Sequence, residues 1–276
     1  MMIPGILAQR RRGPVLWTPA DLSVAAKIWL DDASAVLDVS GVASQWNDRS
    51  GNGWHFSQGT AVKRPQILAD ELNGKRVLRF DGVNDVLSGD ASTKALFRDT
   101  AQAWALAVFE RASTGTATEV IFGASYGTLV AASRFRMDIA GNVLRFAANR
   151  VDGASADLLS GSTFMSAGSR HIVLMSIDYA SSRSGSIYLD GSLEANKSWS
   201  FSAGNTSDSD SLGVSIGANM NQTEAFLGGS VAAIVAGRNI PSSEEVDKLF
   251  GWAAWRYGLV DNLPIGHTYK SAPPLA

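Results

Sequence analysis

From about residue 76 onward, apolar and polar residues alternate with a period of two. That spacing turns one side chain toward a core and the next toward solvent, as on a half-buried strand. On this pattern "RVLRFDG" (76–82), "AWALAVFE" (103–110), "EVIFGAS" (119–125), "RFRMDI" (134–139) and "VLRFAA" (143–148) read as strands. So do "RHIVLMSID" (170–178), "GSIYLDG" (185–191), "LGVSIGA" (212–218) and "SVAAIVAGR" (230–238). The connecting segments are rich in Gly, Ser, Asn, Asp and Thr, the residues of turns. In "IAGNVLRF" (139–146) the pair Gly141-Asn142 separates two strand-like runs, a hairpin signal. Many short strands with almost no helix between them predict an all-β fold, an antiparallel sandwich or barrel.

One segment breaks the pattern. In "IPSSEEVDKLFGWAAWRYG" (240–258), Ser242 and Glu245 have capping-box spacing. Val246, Leu249, Phe250, Ala253 and Tyr257 fall on one helical face, and Gly258 suits the stop. A C-terminal α-helix capping the sandwich is expected. "TPADLSVAAKIWLDD" (18–32) opens with a helix-start signal at "TPAD" and runs into an apolar stretch ending at Trp29 and Leu30.

These patterns divide the chain into a main domain over 15–262 and two tails. Residues 1–14 carry no period long enough to stand alone and read either as a disordered start or as an extended arm. As an arm, Ile3, Pro4, Ile6 and Leu7 would fill a groove on a partner protein, and Arg10, Arg11 and Arg12 would face an acidic or phosphate-bearing rim. The end, "LPIGHTYKSAPPLA" (263–276), reads as an extended, proline-limited tail.

Composition changes the picture by exclusion. The net charge of −2 argues against a broad nucleic-acid footprint. The absence of Cys removes disulfide frameworks, Cys-ligated zinc and thiol chemistry. No run approaches the roughly 18 apolar residues of a membrane span, and the first residues do not resemble a secretory signal.

Candidate chemistry is sparse. A glycosidase needs two carboxylates facing one sugar bond, and no strand carries acids at alternate positions. "GASYG" (123–127) fits the letters of a serine nucleophile elbow but lacks the strand-turn-helix context. The three His, at 55, 171 and 267, show no metal-ligand spacing. Asp81, Asn84, Asp85 and Asp90, or Asn47, Asp48 and Asn52, offer oxygen ligands for calcium. The same residues are common turn formers that need no ion, and no cofactor is otherwise indicated. "QWNDRSGNGWHFSQG" (45–59) concentrates Trp46, Trp54 and His55 around a polar turn. With Trp199 these are the aromatic candidates for a glycan contact; the alternative is that the loop is a scaffold clamp pinned by its two Trp.

The blocks "AAKIWLDDASA" (25–35), "SQWNDRSGNGWHF" (44–56), "RPQILADELNGKRVLRFDGVNDVLSG" (64–89) and "RHIVLMSIDYASSRSGSIYLDGSLEA" (170–195), with the closing block 212–259, resemble LamG-like jelly-roll domains of the concanavalin A-like lectin/glucanase superfamily. The resemblance implies a jelly roll and is compatible with lectins, hydrolases and structural modules. More narrowly, the "MIPGILAQ" start, the "WNDRSGNG" block and the "LPIGHTYKSAPP" ending resemble virion proteins of tailed bacteriophages. That resemblance implies a non-enzymatic capsid decoration, head fibre or tail appendage on the virion surface. It would be homo-oligomeric and held to other virion proteins by the arm, with a host-surface glycan as a further partner. A carbohydrate-binding, lectin-like module is the alternative expectation, and a glycoside hydrolase the remote one.

Overall fold

The computed structural model describes residues 14–34, 36–115, 117–124, 134–151, 156–207 and 213–276. The arm residues Ile3, Pro4, Ile6, Leu7, Arg10, Arg11 and Arg12 lie outside them, as does Ser125 of "GASYG". Within the described residues the chain forms seventeen strands and one α-helix. The first strands are β1 (Ile28–Leu30), β2 (Val36–Val39), β3 (Val42–Trp46), β4 (Phe56–Ser57), β5 (Gln66–Leu72) and β6 (Lys75–Asp81). Then come β7 (Leu87–Gly89), β8 (Gln102–Arg111), β9 (Glu119–Ala124), β10 (Phe135–Ala140), β11 (Val143–Ala148) and β12 (Asp157–Phe164). The last are β13 (Arg170–Asp178), β14 (Ser184–Leu189), β15 (Ser192–Ser198), β16 (Ser215–Ile216) and β17 (Gly228–Gly237), followed by the helix α1 (Ser243–Tyr257).

All pairings are antiparallel and they build two layers. One runs β5-β6-β17-β8-β13-β14-β15, with β1 on β17 beyond the end of β6. The other runs β2-β3-β4-β7-β16-β9-β10-β11-β12. A single pair, Val42 with Gln66, joins them at one edge. The expected sandwich is therefore present. The expected hairpin is too: Gly141 and Asn142 have φ of 60° and 68° between β10 and β11, the mirror-image turn that matches strand twist.

The layers are ordered by side-chain alternation. Along β8, Ala105, Ala107 and Phe109 face the other sheet, where they meet a core that includes Phe122, Phe135 and Phe146. Trp104, Leu106 and Val108 face the opposite way and are equally buried, under Leu249, Phe250 and Ala253 of α1. A strand covered on both faces reads as a continuous apolar run, so "AWALAVF" departs from the period of two expected of it and is a strand by its unbroken apolar length. Trp104 fits because β17 presents Gly237; a Cβ there would lie 2.6 Å from the indole nitrogen.

The helix forms where its caps predict. The Glu245 N–H donates to Ser242 Oγ, Glu245 Oε2 accepts from the Ser242 N–H at 3.0 Å, and Gly258 closes the end at φ 71°. Other expectations change. "TPAD" caps only a 3-10 turn, Pro19–Asp21, and only the end of the apolar stretch after it, Ile28–Leu30, is a strand, β1. "LGVSIGA" contributes just Ser215–Ile216. Strands β2, β3, β5, β12 and β15 were not legible, being short, bulged or exposed and poor in apolar alternation.

Candidate functional site

The loop following β3 packs against β1. Asp48 Oδ1 accepts from the Trp29 N–H at 2.9 Å, and the Arg49 N–H donates to Trp29 O at 2.8 Å. Ser50 Oγ and Asn52 Nδ2 donate to Lys27 O. The Arg49 guanidinium lies 4.1 Å from the centre of the Trp29 ring and 2.6 Å from Asp31 Oδ2. Trp46 donates its indole N–H to Asp31 O, and His55 Nδ1 accepts from the Asp48 N–H. Asp48, Arg49, Ser50 and Asn52 thus hold the loop to β1 and its neighbours, and His55 Nδ1 closes it internally, the arrangement of a clamp.

Two of the four glycan candidates are core residues. Trp46 and Trp199 are 2% exposed and belong to the inter-sheet core, so neither offers a ring face to a ligand. Trp54 and His55 are half-buried, and Trp54 packs on that core from outside. The calcium candidates are also engaged locally, except that the side-chain oxygen of Asn84 has no hydrogen-bond partner among the described residues. Asp81 Oδ1 accepts three N–H groups of its own turn, from Val83, Asn84 and Asp85, and Asp85 Oδ2 accepts from the Asp81 N–H. These bonds hold Asp81 below the ordinary carboxylate range although desolvation works the other way. Burial, and then the Asp81 charge, push Asp85 up to about 7. Among the described residues no group of three His, Asp or Glu is placed to hold a metal.

A buried charge cluster lies on β10 and β11, where Arg136 and Arg145 both bond Asp138, Arg136 Nε at 2.6 Å and Arg145 Nε at 2.9 Å. Arg136 and Asp138 are fully buried and closely paired, so removing one partner would leave a buried charge uncompensated.

A concave site lies elsewhere, at the C-terminal half of α1. The first and last described segments meet there: Leu16 bridges Leu275, and the Trp17 N–H donates to Pro274 O at 3.0 Å. Together they wall a cavity of about 330 Å³. Its aromatic wall is Trp17, Trp252 and Trp255, and Pro273 and Pro274 close one side. The polar groups are Thr18, Asn73 from the β5–β6 turn, Lys75 at the start of β6, and Arg256 from the helix. Trp252 is fixed edge-on between Trp29 and Tyr257, each 6.3 Å away. Trp255 is 37% exposed, and its N–H is spent on Tyr269 O at 2.8 Å, so what it presents is a ring face. Asn73 Nδ2 donates to Arg256 O at 3.0 Å, which ties the turn to the helix end. Arg256 Nε donates to Asp32 Oδ1 at 2.5 Å; burial opposes the guanidinium charge, and that bond together with the charges of Tyr257, Asp31 and Asp32 outweighs it and raises the group.

This constellation was missed in the sequence. Its one signal was Trp255, two residues from Ala253 and therefore on the polar side of an otherwise amphipathic helix. Lys75 and Asn73 arrive from 180 residues away in sequence and give no local sign.

No family model matches the sequence, and no curated protein matches it significantly. Solved structures do share its fold. The chain is similar to a Trypanosoma rangeli sialidase solved with 2,3-difluorosialic acid, with TM-score 0.53 and 15% identity over 82% of this chain and 33% of that one. It is similar to the binding domain of Paraclostridial Mosquitocidal Protein 1, with TM-score 0.58 and 11% identity over 81% of this chain and 52% of that one. It is also similar to the botulinum neurotoxin serotype D ligand binding domain solved with N-acetylneuraminic acid, with TM-score 0.57 and 8% identity over 84% and 52%. The chain thus spans about a third of the sialidase and about half of the toxin domains it matches. At these identities the likeness is one of fold. It nevertheless corrects one expectation. The reading of a non-enzymatic chain rested on missing paired carboxylates, and a fold shared with sialidases does not support that exclusion.

Proposed function

We propose that this chain is a carbohydrate-binding domain whose site is the tryptophan-walled cavity at the end of α1. The observation that carries the proposal is the half-exposed ring face of Trp255 beside Asn73, Thr18 and Lys75, an apolar platform ringed by a few polar groups. Small-molecule sites have this character and occupy roughly 300–1,000 Å³, so the cavity is large enough for a small saccharide. A sugar ring offers C–H groups to an indole face and hydroxyls to the surrounding side chains. The likeness to proteins solved with sialic-acid derivatives supports the reading. The test is a calorimetric titration of the protein with a saccharide panel, repeated on Trp255→Ala; saturable binding lost in the variant is the expected result.

The setting we infer follows the sequence resemblance: a LamG-like jelly roll on the surface of a tailed-phage virion. Residues 1–14 would tether it to other virion proteins, and the mounted form would be a homo-oligomer. Deleting residues 2–12 should then leave a folded domain that no longer joins its particle; normal incorporation would refute the tether.

A further inference from the structure

Resting on the carbohydrate reading, we propose that the cavity selects an anionic saccharide and that Lys75 is the residue that reads its charge. None of the residues lining the cavity is acidic, while two are cationic, Lys75 and Arg256. The two cations are not equivalent. Arg256 is neutralised by Asp32 at 2.5 Å and faces Asp31 at 3.7 Å. Lys75 is half-buried at the start of β6 and has no ion-pair partner among the described residues. The cavity therefore carries one uncompensated positive charge beside three indoles, whose low-dielectric walls reduce screening by water.

An ammonium on a flexible stem is a point charge with three donors, suited to a single acidic substituent. Trp255 and Trp252 supply the apolar wall for the ring that bears it. Arg256, held by its two carboxylates, shapes the wall and leaves the charge recognition to Lys75. The shared chemistry is a saccharide with one negative group, either a carboxylate or a sulfate ester.

The experiment titrates the full chain with lactose, sialylated lactose, sulfated lactose and free N-acetylneuraminic acid, and repeats the series on Lys75→Met and Lys75→Glu. A thermal melt of each variant checks folding, and Lys75→Gln replaces any variant that fails it. The acidic ligands should bind wild type about tenfold or more tightly than lactose, the size of one charge-assisted hydrogen bond. Lys75→Met should erase that difference, each acidic ligand being compared with lactose on the same variant, and Lys75→Glu should invert it. Sialylated against sulfated lactose distinguishes the two acidic groups. Equal wild-type affinity for lactose and its acidic forms would overturn the inference and leave the carbohydrate reading standing. A preference that survives in Lys75→Met would overturn the assignment to Lys75. Binding of acetate, in a control arm, as tightly as any sugar would keep the anion and remove the saccharide; no binding at all would refute both.

Discussion

The Asp48 carboxylate bonds the backbone of Trp29, nineteen residues upstream, at 2.9 Å. Its other oxygen takes Ser50 Oγ at 2.6 Å and the Trp54 N–H at 3.3 Å. One side chain thus holds both ends of its loop and fastens the loop to β1. Asp48→Ala removes acceptors from several N–H groups and should cost about 2–4 kcal/mol, several hydrogen bonds to a charged group less solvation by water. Urea unfolding measures this. Ligand binding in the α1 cavity should be unchanged, and a selective loss of binding at intact stability would mean that the loop is a site after all.

Glu245 does comparable work for the helix. Its Oε1 accepts from the Ser23 N–H at 2.6 Å, and its Oε2 completes the capping box with Ser242. Burial disfavours the charge, but these hydrogen bonds outweigh it and hold the carboxyl at about 2 against an ordinary 4.5. A depressed folded-state pKa means that the unfolded chain takes up the proton first on acidification. The contribution is therefore complete above pH 4.5 and fades as pH falls toward 2. Glu245→Gln should destabilise the protein at neutral pH and flatten the acid limb of a stability–pH curve measured by chemical denaturation.

Asp85 should behave in the opposite sense. Desolvation and the neighbouring Asp81 raise it from 3.8 to about 7. The folded state then holds a proton that the unfolded chain releases at lower pH, so Asp85 costs stability as pH rises from about 4 to 7. Asp85→Asn keeps an oxygen for the Asp81 N–H and should raise the melting temperature at pH 8 while changing it little at pH 4. An unchanged difference across that range would show that Asp85 ionises freely.

What could be read from the sequence followed from local rules. β8, β10, β11, β13 and β17 announced themselves because a buried strand needs an unbroken or alternating apolar run. α1 did so because Ser242, Glu245 and Gly258 are capping residues with fixed spacing. β12 and β15 did not, because their cohesion comes from side chains at the sandwich edge. Glu194 accepts the N–H groups of Ser162 and Thr163, and Lys197 bonds Asp157 and Leu158 O. Trp46 and Trp199 could be read either way because a core Trp and a ligand-stacking Trp are the same letter, separated only by burial. The cavity was invisible because it joins residues 16–18, 73–75, 252–256 and 273–274, which only the closed fold assembles.

The central claim rests on Trp255. Its truncation should barely alter folding, since its ring is partly in solvent and its N–H meets only Tyr269 O. Truncating an anchoring aromatic in a binding site typically costs 2 kcal/mol or more, about thirtyfold in affinity. The direct measurement is a titration of wild type and Trp255→Ala with the same oligosaccharides, with thermal melts in parallel. The account predicts saturable binding by wild type and at least a tenfold loss in the variant at an unchanged melting temperature. Equal affinity of the two proteins, or no saccharide bound by wild type, would contradict it.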